Sequence, residues 1–225
     1  MFTAKFFEFF KRLAKNNNRE WFNEHKADYQ QAVVQPMCAF IDAMAPRLRK
    51  ISPHFIADSR SHGGSMFRIY RDVRFSKDKS PYKLHAACQF RHELGKDAHT
   101  VGFYVHISAE EAVFGGGIWM PPGDELQKIR NTIVDNPHAW GQIKASPAVK
   151  KYFGGIGGDG LKRPPRGFNA EQEHIEDIKR KSFFLMRREP PEIILDDSFI
   201  REVEKTFKAA MPLMEYIGFA QDIEI

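Results

Sequence analysis

The sequence contains few cysteines and no long apolar segment. Its 2 cysteines, Cys38 and Cys88, cannot build a disulfide framework, and neither has the Cys-x-x-Cys or Cys/His spacing of a metal site. This usage is typical of a reducing compartment. No segment approaches the roughly 20 apolar residues that a membrane-spanning helix needs, and the N-terminal residues lack the apolar core and cleavage site of a secretory signal. We therefore predict a soluble, cytoplasmic protein with no membrane partner.

The signatures of several common enzyme and cofactor sites are also missing. The glycines form neither the Walker pattern nor the G-x-G-x-x-G turn of dinucleotide-binding proteins, and no serine lies in a G-x-S-x-G elbow. The 9 histidines give no His-Glu-x-x-His motif, and His99, His106, Glu110 and Glu111 lack tight ligand spacing. The sequence therefore predicts neither a metal nor a cofactor. For catalysis it offers one candidate proton carrier, His106, although a histidine in a strand is more often a packed core residue.

The most informative feature that is present is a basic run over residues 67–83. The net charge of +5 is a mild excess, but within this run only Asp72 and Asp78 oppose the Arg and Lys side chains. Arginine forks bind phosphate or carboxylate oxygens in pairs and lysine adds a point charge, so several of them in one cleft would trap an anion. The alternative is a solvated strand edge whose charges discourage aggregation. The basic residues of the run are Arg68, Arg71, Arg74, Lys77, Lys79 and Lys83.

The periodicity of apolar residues predicts an α+β fold in one domain over residues 1–225. Residues 1–50 show helical spacing, residues of about 55–120 show the alternation of a strand meander, and residues 121–225 form helices and loops. We expect a mostly antiparallel sheet of about four to five strands packed with N-terminal and C-terminal helices. The predicted strands are residues 66–70, 84–91, 101–108, 112–119 and 182–187.

Proline, glycine and capping residues predict where helices begin and where loops lie. Pro36 suits the first turn of a third helix, after one over residues 19–34. Residues 154–168 are rich in glycine and proline and predict a long loop. A short helix is expected over residues 171–179, and Ser198 lies where a cap of the last helix is expected.

The same patterns suggest how a site would be assembled. Alternation in the strand at residues 66–70 puts Arg68 and Tyr70 on one sheet face, and backbone amides of the turn-rich residues 76–82 would extend the site unless they form a plain hairpin connection. We expect Trp119, Tyr82 and Phe168 to form pocket walls and Arg166 to join the anion site. The predicted ligand is a small molecule that bears a phosphate or a carboxylate.

Two other partners stay open at this point. A second basic region, together with the aromatic residues, also suits a sequence-tolerant nucleic-acid binder, although no recognition-domain signature such as the RNP aromatic pair or the KH loop is present. The third alternative is an interaction module whose basic edge docks an acidic protein. The second basic region consists of Lys162, Arg163, Arg166, Lys179, Arg180 and Lys181.

Long motifs in this chain resemble one known family. They are Asn18-Arg19-Glu20-Trp21-Phe22, nearly all of the basic run, Gly102-Phe103-Tyr104-Val105-His106, Gly115-Gly116-Gly117-Ile118-Trp119-Met120-Pro121 and Leu161-Lys162-Arg163-Pro164-Pro165-Arg166-Gly167-Phe168. The chain is similar over nearly its whole length to the bacterial and fungal proteins catalogued as domain of unknown function 2461. The resemblance implies a single-domain α+β protein of about this size and carries no activity, substrate or catalytic residue. Residues 154–160 are richer in glycine than the family pattern. Because the family motifs coincide with the basic run, the resemblance favours an anion site over a solvated edge.

Overall fold

A four-stranded antiparallel sheet forms the centre of the protein. In the computed structural model, which describes residues 1–95, 97 and 99–225, the strands follow one another in the order of the chain. They are β1 (His85–Arg91), β2 (Gly102–Ser108), β3 (Ala112–Ile118) and β4 (Phe183–Glu189). The predicted α+β class with a mostly antiparallel sheet is therefore confirmed.

Helices precede the sheet and follow it. Those before β1 are α1 (Ala4–Lys15), α2 (Arg19–Glu24), α3 (Lys26–Tyr29), a π-helical segment (Gln30–Val34) and α4 (Gln35–Ile51). Those after β3 are α5 (Gly123–Asp135), α6 (Pro137–Ala145), α7 (Pro147–Phe153), α8 (Ile175–Ile178), a 3-10 helix (Pro191–Leu195) and α9 (Phe199–Gln221). None of the helices in the described part of the chain is long and apolar enough to cross a membrane.

Side chains on one face of the sheet, the inner face, pack against the helices. Helix α9 crosses β3 and β4, and α4 reaches β1. Phe103 of β2 lies fully buried with its ring stacked on Phe207 of α9 at a centroid distance of 4.4 Å. Burying an aromatic side chain of this kind contributes about 2 kcal/mol. Because side chains of a strand alternate between faces, the opposite, outer face carries a different set of residues.

Pro36 lies in the first turn of α4, as predicted, but no break separates α4 from the helix before it. The backbone stays helical through this point, and the π-helical segment Gln30–Val34 joins α3 to α4. Proline has no N–H to donate, and its ring collides with the carbonyl oxygen of the residue four positions earlier in an α-helix. The wider turn of the π-helical segment lies where that collision would occur, so the chain continues without a break.

The prediction of a regular strand over residues 66–70 is wrong. Only isolated bridges join Met66 to Cys88 and Tyr70 to Tyr82. The amide of Phe67 donates to Ala87 O of β1 at 2.9 Å, but Ile69 O accepts from Lys83 N at 2.8 Å. The segment therefore changes its pairing partner after two residues and leaves the edge of the sheet.

The second half of the chain follows the predictions more closely. Residues 154–168 form no regular helix or strand and contact the sheet edge through isolated bridges such as that of Gly157 to Phe184. The helix expected over residues 171–179 is shorter and spans only Ile175–Ile178. The assignment of all 225 residues to one domain stays a prediction.

Candidate functional site

The outer face of the sheet forms the floor of a cleft with a volume of about 710 Å³. Clefts that bind small molecules have volumes on the order of 300–1,000 Å³. The strand register arranges the floor in three rows that cross the sheet. The first row is Ala87, His106, Val113 and Arg188, the second is Gln89, Tyr104, Gly115 and Met186, and the third includes Gly102, Gly117 and Phe184.

Basic side chains gather at one end of the cleft. This cationic end comprises Arg68, Lys83, His85, His106 and Arg188. Lys83 Nζ donates to the carbonyl oxygen of Arg68 at 3.0 Å and lies 5.7 Å from the centre of the Phe67 ring. Burial lowers the pKa of Lys83, and the charge of Arg68 lowers it further. Arg188 forms an ion pair with Glu111 at the rim.

Arg68 and Lys83 differ in their partners from Arg71 and Arg74 of the same basic run. Among the residues that the structure describes, no carboxylate forms an ion pair with either side chain. Asp72, the nearest acidic residue of the run, is bound by Arg74, and its pKa is lowered to about 2 chiefly by that hydrogen bond, with only a minor contribution from the charge of Arg68. The cationic end therefore carries positive charge that the described protein does not neutralise.

A stacked pair of histidines lies beside these two cations. The rings of His85 and His106 are 4.1 Å apart between centroids, with an interplanar angle of 28°. Burial lowers the pKa of His85 to about 4, and the charges of His106 and Lys83 act in the same direction. Burial also lowers the pKa of His106, against the opposing effect of Glu111. At neutral pH both rings are therefore uncharged, and each offers one donor and one acceptor nitrogen.

Tyr104 adds a neutral polar group in the middle of the floor. Its hydroxyl lies 3.4 Å from His106 Nδ1. Burial raises the pKa of Tyr104 to about 12, so the phenol stays protonated and can donate to a ligand or to the histidine. The ring of Phe67, 6.2 Å away between centroids, covers it from the side of β1.

The opposite end of the cleft, the aromatic end, comprises Gly102, Gly117, Trp119 and Phe184. Trp119 is 56% exposed and stacks on His99 with a centroid distance of 5.2 Å. His99 Nδ1 lies 3.1 Å from the carbonyl oxygen of Trp119. The next amide, that of Met120, donates to Ser182 Oγ at 2.9 Å. These contacts hold the indole at the rim of the cleft.

Gly117 cannot be replaced by a larger residue without moving the sheet. Its φ of +151° is rare for residues with a side chain, and a Cβ atom would lie 2.2 Å from the carbonyl oxygen of Phe183. Its partner in the register, Gly102 of β2, also lacks a side chain. The floor at the aromatic end is therefore bare backbone.

The structure separates the residues that the sequence analysis grouped into one site. Arg68, Lys83, His106 and Trp119 line the cleft. The remaining members of the predicted anion site and pocket wall are Tyr70, Arg71, Arg74, Lys77, Lys79, Tyr82, Arg166 and Phe168, and none of them lines it.

Local partners occupy most of the basic side chains that lie outside the cleft. Arg71 pairs with Asp78, whose pKa is lowered chiefly by hydrogen bonds from Ser80 and also by Arg71. Arg74 binds Asp72 at 2.7 Å. Lys79 Nζ donates to the carbonyl oxygen of Val73 at 2.9 Å, and Lys77 is exposed.

The aromatic residues expected in the pocket wall also have other positions. Tyr82 is buried, with its ring stacked on Phe22 at a centroid distance of 4.1 Å. Exposed Tyr70 lies against it, 5.4 Å away between centroids. Phe168 is half-buried against the core and Arg166 is exposed, both on the loop beyond Gly160.

The two basic regions lie beside opposite edges of the sheet. Phe67 hydrogen-bonds to β1, whereas Gly157 and Gly160, which precede the second basic region, pair with residues in and just before β4. With strands about 4.8 Å apart, the two edge segments are separated by about 24 Å across the sheet.

Sequence reasoning missed several residues of the cleft. His85, Gln89 and Tyr104 lie in the predicted strands, and Arg188 lies one residue beyond the predicted end of the last one. Along β1 and β2 the missed residues alternate with the buried residues Cys88, Phe90 and Phe103, and this alternation was the signal that they lie on the outer face. Alternation alone does not show that they meet, because that depends on the register between strands.

Comparison with known proteins gives the family and no closer relative. No curated protein and no solved structure matches the chain. The sequence model of one family, described as "Conserved hypothetical protein (DUF2461)", matches residues 5–216, which is nearly the whole chain. This description names no activity, and it confirms the resemblance that the motifs indicated. The chain therefore belongs to the DUF2461 family of conserved hypothetical proteins.

Proposed function

We propose that this protein binds a small organic anion in the outer-face cleft, with the phosphate or carboxylate of the ligand at the cationic end. The observation that carries the proposal is the difference within the basic run. Arg68 and Lys83 reach the cleft without a carboxylate partner among the described residues, whereas Arg71 and Arg74 are paired with Asp78 and Asp72. A charged oxygen of a ligand would supply the missing partner.

The chemistry of the cationic end suits such a ligand. The guanidinium of Arg68 offers a planar fork of N–H groups for two oxygens, and Lys83 adds a point charge on the neighbouring chain segment. A hydrogen bond to a charged group contributes about 1.5–3 kcal/mol. His85 and His106 can add neutral N–H donors, and they become stronger donors when an anion favours their protonated forms.

The separation of the two basic regions supports a small ligand over a nucleic acid. A nucleic-acid strand that used both regions would have to cross the whole sheet, since the regions lie beside opposite edges. A ligand confined to the cleft needs only the residues that already converge there. Oligonucleotides nevertheless belong in the test, because a basic surface attracts phosphate chains without sequence preference.

A thermal-shift screen tests the proposal directly. The purified protein is heated with phosphorylated metabolites, carboxylates and short oligonucleotides, each at low and high salt. A ligand present at about 100 times its Kd stabilises the folded state by about 2.7 kcal/mol. We expect one class of small anion to stabilise the protein.

Two variants locate the binding and one serves as a matched control. Arg68→Ala and Lys83→Ala should each remove most of the stabilisation. Arg74→Ala removes an arginine from the same run, but its side chain is bound to Asp72 outside the cleft, so the shift should persist. Stabilisation by oligonucleotides alone, lost at high salt, would replace the proposal with nucleic-acid binding. A shift that all three variants reduce equally would refute the assignment to the cleft.

A further inference from the structure

The aromatic end of the cleft has the shape of a stacking platform. Gly102 and Gly117 lie opposite each other on β2 and β3 and leave a flat area of backbone, which Phe184 borders from β4 and Trp119 borders two residues after Gly117. The indole of Trp119 is one of the largest apolar groups of the protein, and its exposure to water beside this floor is unusual. A planar ring placed there would contact the floor and the two aromatic walls together.

The polar groups between the two ends suit a ligand that reaches both. Gln89 and Tyr104 lie in the middle row of the floor. Gln89 Nε2 donates to the carbonyl oxygen of Thr100 at 3.3 Å, which leaves its Oε1 available as an acceptor toward the cleft. Aromatic walls combined with a few fixed polar groups are the usual composition of a small-molecule site.

The distance between the ends sets the length of the ligand. Gly102 at the aromatic end and His106 at the cationic end are four residues apart on one strand, which is about 14 Å. An inorganic phosphate or a short carboxylic acid would fill only one end. A nucleoside 5′-monophosphate, whose base and phosphate are separated by a sugar, has dimensions of this order.

We infer that the ligand of this cleft is an anion that carries a planar aromatic ring, of the class of nucleoside monophosphates, with its ring on the glycine floor bordered by Trp119 and Phe184 and its phosphate at Arg68 and Lys83. This inference rests on the proposed function and adds the chemistry of the second half of the ligand. It assigns the aromatic end to recognition of the ring and the cationic end to recognition of the phosphate.

Isothermal titration with matched fragments tests the inference. The probes are the common nucleoside 5′-monophosphates, the corresponding nucleosides, which lack the phosphate, and ribose 5-phosphate, which lacks the ring. Stacking of a base on an aromatic side chain corresponds to about tenfold or more in affinity. We expect at least one nucleoside monophosphate to bind about tenfold or more tightly than both its nucleoside and ribose 5-phosphate.

Two variants should show which part of the ligand each end of the cleft binds. Trp119→Ala should weaken the nucleotide to about the level of ribose 5-phosphate and leave ribose 5-phosphate itself unchanged. Arg68→Ala should weaken both phosphates and leave the nucleoside unchanged. Phe75→Ala removes an aromatic ring that is 95% exposed outside the cleft and should alter nothing. A thermal melt of each variant in the absence of ligand checks that the fold is retained. Trp119→Leu, which keeps an apolar side chain at this position, serves as a second variant in case Trp119→Ala does not fold.

The outcomes separate this inference from the proposed function. If ribose 5-phosphate binds as tightly as the nucleotides and Arg68→Ala abolishes both, the ring assignment is overturned and anion binding stands. The same conclusion follows if Trp119→Ala and Trp119→Leu, both folded, keep full nucleotide affinity. If neither these phosphates nor any other anion of the wider screen binds, both proposals fail.

Discussion

The imidazole rings of His85 and His106 stack 4.1 Å apart in the cleft, on neighbouring strands. They are diagonal neighbours, because His106 lies directly opposite Ala87 and His85 directly opposite Ser108. Diagonal side chains on one sheet face remain within reach of each other. Lys83 and Arg68 lie next to the pair on the side of β1, and Tyr104, Glu111 and Arg188 surround His106. The two partly buried imidazole rings therefore lie close to several charged side chains.

Binding of an anion should become tighter as the pH falls. The free protein holds both histidines below their ordinary pKa, chiefly through burial. A bound anion whose own charge stays constant in this range, such as a carboxylate, favours the charged imidazolium and raises these pKa values, so binding takes up protons and the affinity rises from about pH 7.5 toward about pH 5.5. Titration calorimetry in buffers of different ionisation enthalpy measures the proton uptake. His85→Gln combined with His106→Gln should flatten the pH profile, and an unchanged profile in this double variant would contradict the mechanism.

His85 should also make the fold sensitive to acid. Its pKa is about 4 in the folded protein against an ordinary value near 6.5. Between these two pH values the unfolded chain binds more protons than the folded protein, so the free energy of unfolding rises with pH. The stability that neutral His85 contributes is therefore lost as the pH falls from about 6.5 to about 4. The loss is about 2 kcal/mol, less than the full shift implies, because the ring keeps some contact with water.

Urea unfolding at about pH 7 and about pH 5 measures this sensitivity. His85→Gln should lose less stability than the wild type over this interval. His138→Gln, which changes an exposed histidine of α6, is the matched control and should behave as the wild type. Equal acid sensitivity in His85→Gln and the wild type would exclude the buried ring as the cause.

Gly117 should tolerate no side chain. Alanine there would have to adopt φ +151° and would bring its Cβ to 2.2 Å from the carbonyl oxygen of Phe183. We expect Gly117→Ala to lower the free energy of unfolding by more than about 2 kcal/mol. Gly123→Ala is the control, because nothing lies within 4 Å of the added atom at the start of α5. Chemical denaturation compares the two, and similar stabilities would show that the backbone of β3 adapts.

The whole chain should unfold in one step if it forms a single domain. One cluster of buried apolar residues includes Phe6 of α1, Phe103 of β2 and Phe207 of α9, so no element has a core of its own within the described structure. Small domains with one shared core unfold cooperatively. Far-ultraviolet circular dichroism and tryptophan fluorescence should give coincident urea transitions. Two separate transitions would instead divide the chain into independent units.

Much of the fold could be predicted from the sequence because the relevant interactions are local. Apolar segments separated by polar, glycine-containing connections predicted the strands of the meander, and helical spacing over residues 1–50 predicted the N-terminal helices. Pro36 does begin α4, but the sequence did not show that the preceding helix continues into α4, because the local pattern does not reveal the π-helical segment that joins them. The error at residues 66–70 arose because pairing partners, rather than local propensity, decide whether an extended segment becomes a strand.

The sequence by itself determined the family, the α+β class and the presence of a basic run. Tertiary structure alone decided which cations face the cleft. Arg68 and Arg74 belong to the same run, yet Arg74 is bound by Asp72 after a turn while Arg68 borders the sheet. Strand register likewise brought His85 beside His106. Arg68 borders the sheet because Phe67 pairs with Ala87 of β1, and His85 meets His106 through the register of β1 and β2. Both placements depend on pairing between segments distant in the chain, and a shift of one position in the register would move every such side chain to the other face.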